Sequence, residues 1–512
     1  MVVNSGTANS ANVGLPTRGR FGRLLASVEW QASLYYWLDH HLYLQPDGGH
    51  LAAFELSSGT NLLPPPSIFT EALRTFDSED YWEINTYTGP LGDDCLREAV
   101  TEYENVVNGW SLSQDNIAVT YGAHIGLKSA LGAISSPEDA TALVLGPQVP
   151  LIFQALVESG FCFREMWSSV PGKFVPSADE AIAAVSACHP DLLVLSSPNN
   201  PTGTVFSPDE LSAICAAAIS VGGKVLIDKI LSDSALPDFP MPSGTCPQMD
   251  EWIQEGTCVV IDSLSKRRAI SGLRTGYLLA SDALIRRIAL SGLGGCPPML
   301  LSGTAAQELQ ISARLHRGGD DVSSSDRAHA DELRQMRVAT EQNFAAAKAA
   351  LSDHWLWDTK DHPGINSVVA LRFKHGVTDE RQMCVALAER EVSCYPLSTF
   401  AASSGLHSSL ESEGILELRM SSAVRPERFR ETICRTRDAL RAGESNHGAD
   451  EMAITPLVQE VPLIAGARCM RVSRPGFDGG GDDAEGSLSW DLRKYPDELR
   501  ERATRTGVGG AG

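Results

Sequence analysis

Between residues 90 and 310, short apolar runs recur: NIAVTYG (116–122), TALVLG (141–146), DLLVLSS (191–197), KVLIDK (224–229), TCVVIDS (257–263) and YLLAS (277–281). Each has the length of a strand buried on both faces and ends on Gly, Lys or Ser. Stretches with helical spacing, such as PDELSAICAAAISVG, lie between most of them. Buried strands alternating with helices predict an α/β layer around a mostly parallel sheet, with ligands at the carboxyl ends of the strands. Upstream, SVEWQASLYYWLDHHLYL (27–44) reads as an amphipathic helix able to pack on a partner subunit, and LAAFELSSGTNLLPPP (51–66) as a strand entering a Gly-Pro turn. Downstream, HRGGDDVSSSDRA (316–328) reads as a polar loop before the helix ADELRQMRVATEQNFAAAKAALS. The strands NSVVALRF and ILELRMSS, mixed with the helices DERQMCVALAER and PERFRETICRTRDALR, predict a smaller α+β unit. Residues 1–20 read as a disordered leader and PGFDGGGDDAEGS (475–487) as an acidic, glycine-rich loop; SWDLRKYPDELRERATR near the end suggests a short helix.

Composition narrows the function classes. A chain of 512 residues exceeds one ordinary core. Hydrophobic content of 43% fits a soluble globular protein, and no run of eighteen apolar residues suggests a membrane span. A net charge of −22 argues against a nucleic-acid partner, because phosphate contacts need clustered Lys and Arg. The eleven cysteines form no CxxC pair, and Cys188-His189 has no partner at zinc spacing, so no metal is expected. No apolar export core stands at the start, and the expected compartment is the reducing cytoplasm. His40-His41, in the aromatic stretch, suggests packing or substrate contact.

The chemistry concentrates in DSLSKRRAISGLRTGY (262–277). Alone, a lysine beside arginines is an ordinary solvated surface. Here it stands between hydroxyls, with an arginine eight residues on and glycines around it, as an enzyme needs to hold pyridoxal phosphate as an imine. Asp228 closes KVLID, where a carboxylate can keep a pyridine nitrogen protonated. SSPNNPTG (196–203) offers Asn200 as a neutral donor. TYGAHIGLKSAL (120–131) leaves a strand and opens a helix, so Gly122, Ala123 and His124 aim amides at an anion. Arg419 in ILELRMSSAVRP has the planar fork that suits a carboxylate.

These strings, together with SSGTN (57–61) and YTGPLGDDCLREAV (87–100), resemble in content and order the motifs of fold-type I pyridoxal-phosphate enzymes, the class I/II aminotransferase superfamily. The resemblance covers roughly residues 50–441. It implies a homodimer with shared active sites, an amino acid substrate and pyridoxal phosphate as cofactor. It assigns the Schiff base to Lys266 and the phosphate to Ser263, Ser265, Arg274 and the amides of 122–124. The ring nitrogen falls to Asp228, the phenolic oxygen to Asn200, the substrate carboxylate to Arg419 and backbone at Gly59. Tyr87 would reach the phosphate of the neighbouring subunit. The implied fold has a large domain at 88–315 with a seven-stranded-type sheet. A small α+β domain at 330–442 is joined by an N-terminal helix and segment at 21–87, and 443–512 forms an extension.

Two positions depart from the family. Val149 stands where an aromatic ring stacks on the cofactor, and Leu231 where a tyrosine faces the phenolic oxygen; His124 is a candidate replacement for the stacker. The expected activity is therefore an aminotransferase-like transformation through a Schiff base and quinonoid, remodelled at the cofactor. The alternatives are a lyase or C–C bond-forming enzyme acting at the β or γ carbon, or an oxidase. The string SLSK is also seen in aminocyclopropane-carboxylate-synthase-like enzymes, which use S-adenosylmethionine. A DNA-binding regulator carrying this fold would need a basic winged-helix head, and the N-terminal segment is short and not basic.

Overall fold

The computed structural model describes residues 54–441, except 77–84, 135–139, 169–172, 240–242, 294–296, 298–299, 361–363, 374–379 and 403–413. The aromatic stretch at 27–44, with His40-His41, and everything beyond 441 lie outside the described residues.

The chain opens with β1 (Phe54–Glu55) and α1 (Ser67–Thr75), then α2 (Asp94–Asn108). A repeating unit follows: β2 (Ile117–Tyr121), α3 (Gly122–Ala133), β3 (Thr141–Leu145), α4 (Pro150–Glu158), β4 (Cys162–Met166), α5 (Ala178–Cys188), β5 (Leu192–Ser196), α6 (Pro208–Ser220), β6 (Lys224–Asp228), α7 (Met249–Glu255), β7 (Cys258–Ser263), α8 (Leu264–Arg267), β8 (Thr275–Leu279) and α9 (Asp282–Ser291). Helices α10 (Ser302–Arg317) and α11 (Ser324–Ala350) lead to β9 (Trp355–Asp358), β10 (Asn366–Arg372), α12 (Glu380–Ala388), β11 (Val392–Ser393), β12 (Tyr395–Pro396), β13 (Ile415–Ser421) and α13 (Pro426–Arg441).

The seven-stranded sheet has the order β2-β8-β7-β6-β5-β3-β4, and β8 runs antiparallel to both of its neighbours. Its central strands are buried along their length, which explains their unbroken apolar runs. β4, CFREM, is an edge strand with exposed positions, so its sequence lacks the apolar run that reveals the others. Local signals start the helices. Ser177 with Glu180 and Ser207 with Glu210 form capping boxes at α5 and α6. Ser323 with Asp326 does the same for α11, so the polar linker read at 316–328 is shorter, and the helix already begins at Ser324.

The sheet carries a core on each face. One packs Leu193, Val225 and Val260 against α2, α5, α6 and α10; the other packs Val194, Leu226 and Ile261 against α3, α4 and α9. A third core fills the antiparallel sheet β12-β13-β10-β9 together with α12 and α13. The N-terminal segment is divided between them: Leu56 is buried in the third core, while Phe69 of α1 is buried in the first. Of the strand and turn read at 51–66, Phe54–Glu55 pairs in parallel with β11, and Leu62 makes an isolated parallel bridge to Val424. Helix α11 links the units, with Leu333 packed on Leu236 near its start and Phe344 in the third core near its end.

Candidate active site

The site is assembled where β6 and β7 end. β6 stops at Asp228, and β7 runs into the one-turn helix α8, which carries Lys266. Ser263 caps that turn by accepting from the Ser265 amide at 3.3 Å. Lys266 is partly buried, and its Nζ lies 3.2 Å from Thr60 Oγ1. Loss of water, then the nearby Arg419 and Arg274 cations, bring its pKa down to about 8, against the opposing pull of Asp228. Asp228 accepts from the Ile230 amide at 3.0 Å; loss of water and the Asp262 charge outweigh that bond and raise its carboxyl to about 7.

The residues read as an anion cradle lie together. Gly122 opens α3 at φ +77°, and a Cβ there would meet the Arg274 guanidinium. Gly276 packs so closely that a Cβ would lie 2.5 Å from the Ala123 amide nitrogen. Two glycines thus let an arginine and a helix N-terminus converge with no side chain between them. Arg274 takes φ +58° and donates to the Ser271 carbonyl at 2.9 Å. His124 sits in the first turn of α3; burial lowers its pKa, and its Nε2 has no hydrogen-bond partner among the described residues.

On the other side stands Arg419 of β13. Its Nη1 donates to Asn200 Oδ1 at 3.0 Å and its Nη2 to the Ser57 carbonyl at 2.6 Å. The guanidinium lies over Phe400, 4.7 Å from the ring centre, and 5.7 Å from that of Tyr395. Gly59, at φ +61°, faces it: a Cβ there would come within 2.6 Å of Arg419 Cζ. The bond at Oδ1 leaves the Asn200 amide nitrogen as the donor end of that side chain.

The two departures occupy different settings. Leu231 is buried and lines a cavity of about 40 Å³ with Lys266, Asn61, Met336, Thr340 and Ile365. Val149 precedes Pro150 at the start of α4 and packs between the second and third cores. Tyr87 is 87% exposed in this single chain. Sequence reasoning assigned no role to Thr60, to Asn61, whose Nδ2 donates to the Lys266 carbonyl at 2.9 Å, or to Phe400 and Tyr395. The string SSGTN contained the first two; nothing local marked the rings.

These residues fit pyridoxal phosphate: an amine of lowered basicity, a carboxylate one strand away, a cradle cleared by glycines and an amide donor. A seven-stranded sheet with a lysine on the turn after β7 defines the fold-type I class of pyridoxal-phosphate enzymes. Residues 51–420 match the model of the family "Aminotransferase class I and II". The chain belongs to that family, a pyridoxal-phosphate-dependent enzyme superfamily. It is 28% identical over 260 residues to histidinol-phosphate aminotransferase of Thermobifida fusca, covering 50% of this chain and 64% of that one. It is 29% identical over 241 residues to valine–pyruvate aminotransferase of Mycobacterium tuberculosis, covering 46% and 59%. The matches thus span less than two thirds of either relative. Among solved structures, a Thermus thermophilus aspartate aminotransferase variant superposes with TM-score 0.59 at 22% identity, covering 77% of this chain and 97% of that one. The aromatic aminotransferase of Pyrococcus horikoshii does so at 0.59 and 20%, covering 76% and 95%.

Proposed function

We propose that this protein is a pyridoxal-phosphate-dependent aminotransferase acting on an amino acid with a free carboxylate. The observation that carries this reading is that Lys266, Asp228, Asn200, Arg274 and Arg419, from four separate segments, act on one another in one place. Bound there, pyridoxal phosphate supplies an electrophilic aldehyde carbon and a ring that takes up the electron pair released at the substrate. Lys266 Nζ holds the cofactor covalently at rest and moves the proton of the substrate α-carbon. The Asp228 carboxylate holds the proton on the ring nitrogen, and Asn200 Nδ2 donates to the phenolic oxygen. Arg274, the Ser263 and Ser265 hydroxyls and the amides of Gly122, Ala123 and His124 bind the phosphate. Arg419 grips the substrate carboxylate beside the backbone of Gly59. A homodimer of the cytoplasm completes the reading, with Tyr87 reaching the partner's phosphate.

The test is a single turnover without an acceptor. Purified protein loaded with pyridoxal phosphate should release about one keto acid per site from its amino acid, and borohydride should fix the cofactor on the Lys266 peptide. Lys266→Ala should lose both. Fixation on another lysine would overturn the assignment. The buried Leu231, where the family has a tyrosine, favours a second reading: a lyase or bond-forming enzyme acting at the β or γ carbon, for example on S-adenosylmethionine. In that case the single turnover would liberate the β or γ substituent, or join it to another group, and yield no keto acid of unchanged skeleton.

A further inference from the structure

Behind the candidate site lies a set of buried charges with no part in the chemistry above. Lys229, the residue after Asp228, donates to both carboxylate oxygens of Glu104 at 2.7 Å and stands 3.2 Å from Asp262 Oδ2. Asp262, the residue before Ser263, accepts from Arg267 Nη1 at 3.0 Å. Arg267, the residue after Lys266, donates through Nη2 to the Tyr277 hydroxyl at 2.6 Å. That hydroxyl lies 2.6 Å from Glu104 Oε1 and 2.9 Å from Asp262 Oδ2, with one proton for the two. Tyr277 follows Gly276, the residue pressed against the Gly122–Ala123 backbone. All five side chains are buried.

Lys229, Asp262 and Arg267 are each the chain neighbour of a residue assigned to the cofactor site, and Tyr277 follows Gly276, which packs against the Gly122–Ala123 backbone. The fifth member, Glu104, sits on α2, which supplies no such residue. We propose that Glu104, through Lys229, Asp262, Arg267 and Tyr277, is a positioning residue that fixes the spacing of Asp228, Ser263 and Lys266 at the strand ends. The proposal rests on Lys266 and Asp228 being the cofactor residues. Past Asp228 the pairing of β6 with β7 ends, and the Lys229 amide donates to the Ile261 carbonyl at 2.9 Å as the last rung. Beyond that point side chains must hold the geometry. A buried ion pair is a poor way to add stability, since desolvation offsets most of its attraction, but it has few acceptable arrangements. Asp262 also raises the Asp228 carboxyl by repulsion, so the cluster acts on that group through its field as well as its shape.

The experiment uses the cofactor-loaded protein and the pair Glu104→Gln/Lys229→Gln. It removes one charge of each sign and leaves Asp262 with Arg267. The expected result is a folded protein still fixed by borohydride at Lys266. The pH midpoint of its cofactor absorbance should move by roughly half a unit or more. Its kcat should fall on the order of ten- to a hundred-fold, with little change in KM for the amino acid. An unmoved midpoint with unchanged kcat would overturn the proposal. Should the double variant not fold, Tyr277→Phe removes one hydroxyl bridge and should move the same midpoint in a folded protein; an unmoved midpoint there overturns the proposal equally. Failure of the parent protein to be fixed at Lys266 would sink the underlying site reading instead, so the two failures are distinct.

Discussion

At the scale of single residues, Asp228 and Lys266 place opposite demands on the protein before the cofactor arrives. The Asp228 carboxyl, normally near 3.8, stands at about 7 in the folded chain. A raised acid stabilises the fold fully below about pH 4 and loses that contribution as pH rises through 7. Lys266, normally near 10.5, stands at about 8; its contribution is present above about pH 10.5 and is lost as pH falls through 8. Between pH 7 and 8 both groups therefore oppose folding of the cofactor-free protein. Asp228→Asn should raise the stability of that form at pH 7.5 by on the order of 1–3 kcal/mol, less than the full shift implies because the carboxyl keeps some solvent. At pH 4 the gain should vanish, and turnover should be lost throughout. Thermal melts of the cofactor-free protein at both pH values check the sign. Leu231 gives a second expectation. The cavity beside it has room for part of a larger ring, which lowers the usual cost of overfilling a core. Leu231→Tyr should thus stay folded within about 1.5 kcal/mol of the parent and keep single-turnover release of keto acid. A folded variant that binds cofactor but releases none would favour the bond-forming reading.

At the scale of elements, helices were legible from their apolar spacing, but the start of α11 was not, since Ser324 lies inside the stretch read as a polar loop. Ser207-Pro208-Asp209-Glu210 is a local cap in the structure, with Glu210 Oε2 accepting from the Ser207 amide at 2.8 Å. Ser207→Ala should cost about 1 kcal/mol, measurable as a lower urea midpoint at unchanged slope. The strands on both sides of the site were legible from unbroken apolar runs, whereas β4 was hidden by its edge position and β9 by its length of four residues. Contacts across long stretches of chain left no local trace. Thr60 meets Lys266 from 206 positions away, and Lys229 meets Glu104 from 125. In α2 a glutamate among other charged residues reads as a solvated face, and only the fold shows it fully buried.

At the scale of the whole molecule, Arg419 stands on β13, in the sheet that carries the third core, and α11 packs on Leu236 near its start and enters the third core near its end. Its 27 residues span about 40 Å as one continuous helix. Tyr87, read as reaching the partner's phosphate, is 87% exposed in one chain. If two chains share their sites, mixing Lys266→Ala protein with Tyr87→Phe protein should restore part of the activity, because one site per hybrid regains both residues. No recovery in demonstrably mixed dimers would count against sharing.

The pairing of Glu104 with Lys229 also bears on how this chain can diverge. Reversing either sign alone would bury two like charges in contact, at a cost near that of a typical domain's whole stability margin. Swapping both would set a glutamate beside Asp262, 3.2 Å from where the amine now stands. Lineages descending from this sequence are therefore confined to keeping the pair or neutralising it in concert. Two positions 125 residues apart should change together among close relatives, and Asp262 should change with neither.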